Sequence, residues 1–171
     1  KHPTPLRERA YRLVPIAAAV LLVVLAALIK AKWPVSSVPA DAVGIVAAAA
    51  GEVHRIDADT GVSSRARERV WAQLGDRFET SADSRASILL AGPSELRMAP
   101  DTTVVVDAER KITVEKGRVY LDVAHSSQRQ FKVVTPMGEV TVFGTRFDVT
   151  AEPLRTTVIV EEGEVQLSHH D

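Results

Sequence analysis

FKVVTPMGEVTVFGTRFDV, from Phe131 to Val149, is followed after a short gap by TTVIVEEGEVQL, from Thr156 to Leu167. In both stretches apolar and polar residues alternate, and glycines interrupt the alternation where a chain turns. This pattern predicts successive β-strands of a sheet with one buried and one solvated face. The apolar parity changes at Gly144, which predicts a bulge that re-aims the strand there.

Two patterns inside these stretches, V-x-G-T-x-F-x-V and V-x-V-x-x-G-x-V, resemble the signature of the FecR family of transmembrane sigma-factor regulators. The similarity continues upstream in AGEV at 50–53, QLGD at 73–76 and VEKGRV at 114–119, and it covers about Val43 to Leu167. The ordered set is more specific than any single piece, because Gly-x-Val recurs in all-β proteins. The signature residues are Val142, Gly144, Thr145, Phe147, Val149, Val158, Val160, Gly163 and Val165.

The resemblance implies a signalling protein with three parts. A cytoplasmic segment, upstream of Lys1 in this case, is expected to bind an extracytoplasmic-function sigma factor. One helix crosses the inner membrane, and a periplasmic domain senses a partner such as a TonB-dependent outer-membrane transporter of iron chelates. The family's transporter-binding regulators usually carry a further small α/β domain after the FecR domain, whereas the given sequence ends at Asp171. The sequence is either a fragment or a shorter family member, so the iron specificity and the transporter partner both stay open. The alternative is a membrane-anchored envelope binding module with no role in transcription.

An apolar run from Leu13 to Ile29 contains no charged residue and has basic residues on both flanks. Together with Tyr11 and Trp33 at its ends, the run is long enough to cross a hydrocarbon core of about 30 Å. A buried helix of a soluble domain usually has a polar face, which this run lacks. The lysines directly after the run disfavour a cleavable signal peptide. We therefore predict a transmembrane helix at residues 13–32.

The remaining organisation follows from this helix. More basic residues precede the run than follow it, which predicts a cytoplasmic N-terminus and a periplasmic C-terminal part in the bacterial inner membrane. A net charge of −1 implies no strong electrostatic attraction to nucleic acid or acidic lipid, and the absence of cysteine leaves the redox compartment untested. The predicted parts are a cytoplasmic stub at 1–12, the helix at 13–32, a linker at 33–42, a periplasmic β-domain at 43–168 and a tail at 169–171.

The β-domain is predicted to be all-β, with many short strands separated by Gly, Pro or Asp. This spacing fits a β-solenoid or a jelly roll, and a V-x-x-G-x-V unit that recurs at 113–119 and 160–165 favours the solenoid. Around residues 64–74 the alternatives are one helical turn and a solvated loop, since the charges at 65–69 suit either. The predicted strands are 43–49, 52–56, 87–91, 95–98, 102–107, 111–115, 118–123, 130–135, 139–142, 145–150, 156–161 and 164–168. The predicted core contains Val53, Leu89, Leu96, Val104, Val119, Phe131, Val133, Val142, Phe147, Val149, Val158 and Val165.

The serines and histidines of the chain do not follow a known catalytic or metal-binding pattern. Ser126 and Ser127 beside His125 lack the Gly-x-Ser-x-Gly elbow of a nucleophile, and the histidines lack zinc-site spacing. We therefore predict that the protein has no enzymatic activity, binds no cofactor and has no metal site. Arg146 is expected to point to solvent, with contact to a partner as the functional alternative. The five histidines are His2, His54, His125, His169 and His170.

Overall fold

The computed structural model describes residues 38–169, and every regular element in this range is a β-strand. The all-β prediction is therefore confirmed for this range. The predicted transmembrane helix at 13–32 and the stub at 1–12 lie outside the described residues, as do His170 and Asp171. Within residues 38–169 no helix is long and apolar enough to cross a membrane.

Fourteen strands form the domain. In chain order, β1 to β14 are Ala42–Ala50, Val53–Ile56, Ser63–Arg65, Trp71–Gln73, Arg77–Thr80, Arg85–Leu90, Ser94–Met98, Thr103–Ala108, Lys111–Asp122, Phe131–Thr135, Gly138–Val142, Arg146–Glu152, Arg155–Glu162 and Gln166–His169.

The strands form one continuous sheet that divides into two half-sheets at β9. The first half-sheet has the order β4-β1-β6-β7-β9-β12-β13. The second has the order β3-β2-β5-β8-β9-β10-β11-β14. The long β9 pairs with β8 and β10 near its start and with β7 and β12 near its end. Buried side chains from both half-sheets form a single hydrophobic cluster.

Strand direction decides between the two predicted architectures. Within the described range, β9–β10 is the one parallel pair, and the other pairs are antiparallel. Stacked coils of a parallel β-solenoid would pair parallel strands throughout. The preference for a solenoid is therefore wrong, and the antiparallel, jelly-roll-like alternative describes the domain better. The recurring V-x-x-G-x-V unit is not a repeat of one structural element. Its first copy lies within one strand, β9, whereas its second copy spans the β13–β14 turn.

Two local predictions also fail. Of the two alternatives at 64–74, the helical turn is wrong, because Ser63–Arg65 pairs with β2 as β3 and Trp71–Gln73 pairs with β1 as β4. The charged residues at 67–69 fall in the exposed loop between them. Residues 111–115 and 118–123 were predicted as separate strands, but Gly117 lies inside the continuous 12-residue β9.

The core matches the predicted apolar faces with one clear exception. Leu89 is 46% exposed, because Ile88 and Leu90 supply the buried face of β6. Val158 and Val165 are only partly buried and pack against the core. The other predicted core residues are buried, namely Val53, Leu96, Val104, Val119, Phe131, Val133, Val142, Phe147 and Val149.

Candidate functional site

The two halves of the sequence signature meet in space. The β11–β12 loop at 143–145 lies against the β13–β14 loop at 163–165. Thr145 is 3% exposed, and its Oγ1 donates a hydrogen bond to the backbone oxygen of Glu164 at 2.9 Å. A Cβ built on Gly163 would lie 2.8 Å from the backbone oxygen of Gly144. We call this contact of Gly144, Thr145, Gly163 and Glu164 the signature junction.

Gly144 is required by close packing at this junction. A Cβ at this position would lie 2.5 Å from the Cα of His125 and 2.8 Å from its Nδ1, both closer than van der Waals contact allows. The predicted bulge at Gly144 is not present as such, since the residue lies in the connection between β11 and β12. The apolar residues change from even to odd positions around Gly144 because the chain passes from one half-sheet to the other. Strand β11 belongs to the second half-sheet and β12 to the first half-sheet.

The apolar signature residues divide into two groups. Val142, Phe147 and Val149 are buried, with at most 1% of their surface exposed. Val158 and Val165 are partly buried, whereas Val160 is 39% exposed. The first group therefore builds the core, and Val160 lies where the core meets solvent.

Arg146 lies on the surface beside the junction. Its Nη1 lies 3.0 Å from Glu162 Oε2, and its Nε lies 3.6 Å from Asp122 Oδ2. All three side chains are roughly half exposed or more, at 49%, 66% and 50%. They line a cleft of 280 Å³ together with His125 and Gly163. The orientation of Arg146 toward solvent agrees with the prediction, and its contact with a partner stays a prediction.

A second surface feature is the side of the domain formed by β13 and β14, which we call the open edge. In the described part of the chain, β13 pairs only with β12 and β14 only with β11. The register places Val160 opposite Phe147 and Leu167 opposite Val140. Residues opposite each other in antiparallel strands share a face, so Val160 and Leu167 project from the core side of the sheet.

These core-side residues are nevertheless poorly covered. Val160 is 39% exposed and Leu167 is 61% exposed, although their neighbours across the strand are almost fully buried. On the outer face of β13, Ile159 is 59% exposed. Apolar side chains on both faces of an unpaired strand are typical of a surface that binds protein.

A shallow groove of 360 Å³ continues this surface at the end of the domain. Met137, Leu154, Thr156, Leu167 and His169 are among the residues that line it. The Oγ1 atoms of Thr135 and Thr156 lie 2.7 Å apart beneath it and connect the two half-sheets by a hydrogen bond. The lining combines apolar side chains with backbone and hydroxyl groups.

The residues weighed for catalysis are not assembled into a site. His125 packs on Gly144, and Ser126 Oγ accepts a hydrogen bond from the backbone N–H of Arg129 at 3.0 Å. His54 lies in β2 and His169 in β14, while His2 and His170 lie outside the described range. Within residues 38–169 no group of three or more His, Cys, Asp or Glu side chains is placed to hold a metal ion.

These features define an all-β domain with a loop junction on one side and an adjacent free strand edge. The family model for FecR protein matches residues 76–166, more than half of the 171-residue chain. The chain therefore belongs to the FecR family.

The solved structures to which this chain is similar include two crystal structures of a proposed anti-sigma factor from Parabacteroides distasonis, at 1.65 and 2.50 Å resolution. Their TM-scores are 0.42 and 0.41, with 16% sequence identity over 56% of this chain in both cases. The chain spans 60% of the length of each of these two proteins. Among curated proteins no match was found.

Proposed function

We propose that the chain belongs to a single-pass inner-membrane regulator of an extracytoplasmic-function sigma factor. Membership of the FecR family is the observation that carries this proposal. The apolar run at 13–29 is suited to the membrane segment, and the basic residues before it favour a cytoplasmic N-terminus. The β-domain is then periplasmic and reports the state of a partner to the cytoplasm.

The proposed partner of the β-domain is a TonB-dependent outer-membrane transporter. The groove lined by Met137, Thr156 and Leu167 supports a role in protein recognition, because it combines apolar side chains with backbone and hydroxyl groups. Thr156 lies on β13 and Leu167 on β14, and these strands are joined by the loop of the signature junction. Binding at the groove is thereby positioned to reach the loops that join the two half-sheets.

The test of the sigma-factor role uses the complete gene product, including whatever precedes Lys1. Affinity purification from cells is expected to recover a sigma factor, and a matched variant starting at Lys1 is expected to lose it. A transcriptional reporter for that sigma factor should respond to the complete protein but not to the shortened one. Recovery of envelope proteins alone, with an unchanged reporter, would contradict the proposal.

Membrane topology has an independent test, because the chain contains no cysteine. Ser64 is exposed on β3, so a Ser64→Cys variant offers a single thiol in the β-domain. A membrane-impermeant maleimide is expected to label this thiol in cells whose outer membrane alone is permeabilised. Labelling that requires rupture of the inner membrane would place the domain in the cytoplasm.

The alternative is a membrane-anchored envelope binding module without a transcriptional role. The open edge is the observation that favours it, since strand addition needs no cytoplasmic output. The two functions differ in one outcome of the purification, because the binding module predicts envelope partners and no sigma factor.

A further inference from the structure

We propose that the open edge is where two copies of this chain pair, with β13 antiparallel to β13 of a second copy and Val158 at the centre. This inference goes beyond the sigma-factor role and does not depend on it. It concerns the described β-domain alone and rests on the length, exposure and charge of β13.

Strand β13 has the composition of a paired strand rather than of a protected edge. It is 8 residues long, and its centre, TTVIV at 156–160, consists entirely of β-branched residues. Natural edge strands are usually kept short or are covered by other segments. In the described structure one side of β13 faces β12 and the other side has no strand beside it.

The exposure of β13 supports the same conclusion. Val160 projects from the core side and is 39% exposed, and Ile159 projects from the outer side and is 59% exposed. A strand added beside β13 would cover part of both side chains and extend the first half-sheet. Burial of apolar surface contributes about 25 cal/mol per Å² to such an association before its entropic costs are subtracted.

The charges select a second copy as the added strand. Arg155 lies at the start of β13, and Glu161 and Glu162 lie at its end. Antiparallel pairing of two identical strands brings the start of each beside the end of the other. Each Arg155 would therefore meet the glutamates of the second copy, and the two-fold symmetry gives this contact twice.

The pleat of the strand then fixes the register. Opposite residues must share a face, so an odd-numbered position in one copy faces an odd-numbered position in the other. Centring the pair on Val158 places Arg155 opposite Glu161 of the second copy. Centring it on Ile159 would instead place Arg155 opposite Gly163, without an ion pair. Within one copy, Arg155 contacts Glu152 and Glu161 contacts Tyr120, and both contacts are exposed. Little energy therefore opposes their replacement by the contact between Arg155 and Glu161 of the two copies.

Disulfide formation in the full chain tests the register directly, because no native cysteine interferes. In the predicted dimer, Val158 lies opposite its own copy, within the distance that a disulfide spans. Val158→Cys in isolated membranes, oxidised with copper phenanthroline, should give a dimer band several-fold stronger than Ser64→Cys on the β3 edge. Equal bands would overturn the proposal, and a stronger band for Ile159→Cys would overturn the register.

Charge reversal on the outer face of β13 gives a second test. In the Val158→Cys background, Arg155→Glu alone and Glu161→Arg alone should each lower the dimer yield, because like charges then face each other. The double variant should restore the yield. Low yield in all three variants, which means that the double variant fails to restore pairing, would contradict self-pairing in this register. Unchanged yield in all three would contradict a role for the Arg155–Glu161 contact in selecting a second copy.

Discussion

The two lateral edges of the domain are built in opposite ways. On one side the half-sheets end in β3 and β4, which have three residues each. On the other side they end in β13 and β14, of which β13 has eight. We call the side formed by β3 and β4 the closed edge, because its short strands leave little length for pairing with a partner strand. The open edge leaves a full strand.

The polar contacts differ in the same way. At the closed edge Arg55 Nε lies 2.5 Å from Asp76 Oδ2, and Arg55 also donates to Gln73, whose amide donates to both carboxylate oxygens of Asp41 at 2.8 Å. This network ties β2 of the second half-sheet to β4 of the first and to the connection between β4 and β5. At the open edge the half-sheets are joined through the Thr135–Thr156 hydrogen bond and the signature junction. The comparison indicates that one edge serves stability and the other is left for association.

The largest expected effect comes from the closed edge. Asp76 is 1% exposed, so Asp76→Ala leaves the Arg55 guanidinium, 15% exposed, without its buried partner. Breaking such a pair costs about 3–5 kcal/mol of unfolding free energy, and the expected loss lies at the lower end because Arg55 keeps its contact with Asp57 at 3.2 Å. The matched change at the open edge, Arg146→Ala, removes half-exposed ion pairs and should cost less than about 1 kcal/mol. Urea denaturation of a fragment spanning 38–171 measures both, and equal losses would remove the distinction between the edges.

The next largest effect is the loss of stability when valine is replaced by alanine, which should differ between a buried valine and an exposed one. Val149→Ala removes methyl groups from a fully buried site and should cost about 2–3 kcal/mol. Val160→Ala at the open edge should cost less than about 1 kcal/mol, because its side chain is already partly solvated. The same denaturation experiment gives both values. A large loss for Val160→Ala in the monomeric fragment would show that this part of β13 is better covered than its exposure implies.

The signature junction predicts an intermediate loss. Thr145→Val keeps the shape of the side chain but removes the hydroxyl that donates to the Glu164 carbonyl. This hydrogen bond is partly buried, and the loss of such a bond costs about 1 kcal/mol. Thr145→Ser retains the hydroxyl and should lose less, apart from its missing methyl group. If the unfolding temperature of Thr145→Ser is lower than that of Thr145→Val, the hydrogen bond is not what holds the two loops together.

The smallest effect is a pH dependence near the open edge. The pKa of Glu139 on β11 is lowered, first by a hydrogen bond from the Lys132 ammonium, with Nζ and Oε1 2.7 Å apart, and also by its charge. A lowered folded-state pKa stabilises the fold above the unfolded-state pKa, and this contribution is lost as the pH falls through the folded-state value. Glu139→Gln should therefore flatten the loss of stability below about pH 4.5. An identical acid profile for the variant would exclude this pair as a contributor.

The sequence pattern predicted the strands well where apolar and polar residues alternate strictly. Phe131, Val133, Val140 and Val142 alternate with polar or solvated positions, and all four are buried in β10 and β11. In the run Ile88-Leu89-Leu90 the alternation is lost, so the pattern gave no basis for excluding Leu89 from the core. The strand at 77–80 was missed for a related reason, since RFET contains one large apolar residue, Phe78.

The candidate site was only partly predictable. The resemblance identified Gly144, Thr145 and Gly163 as signature residues, but their contact depends on the register of the β12–β13 hairpin. That register places Arg146 opposite Glu162, which brings the loop before β12 against the loop after β13, and alternation alone does not fix such a register. Pairing of Arg146 with Glu162 and packing of His125 on Gly144 have no sequence signal of their own.

Hydrogen–deuterium exchange of the full chain at several protein concentrations tests most directly whether the open edge is the side used for association. The account predicts that backbone amides at 155–162 gain protection as concentration rises, because β13 then pairs with a second copy. Amides of Ser63–Arg65 at the closed edge should not change. Concentration-independent exchange at 155–162, or protection gained at the closed edge instead, would contradict the account.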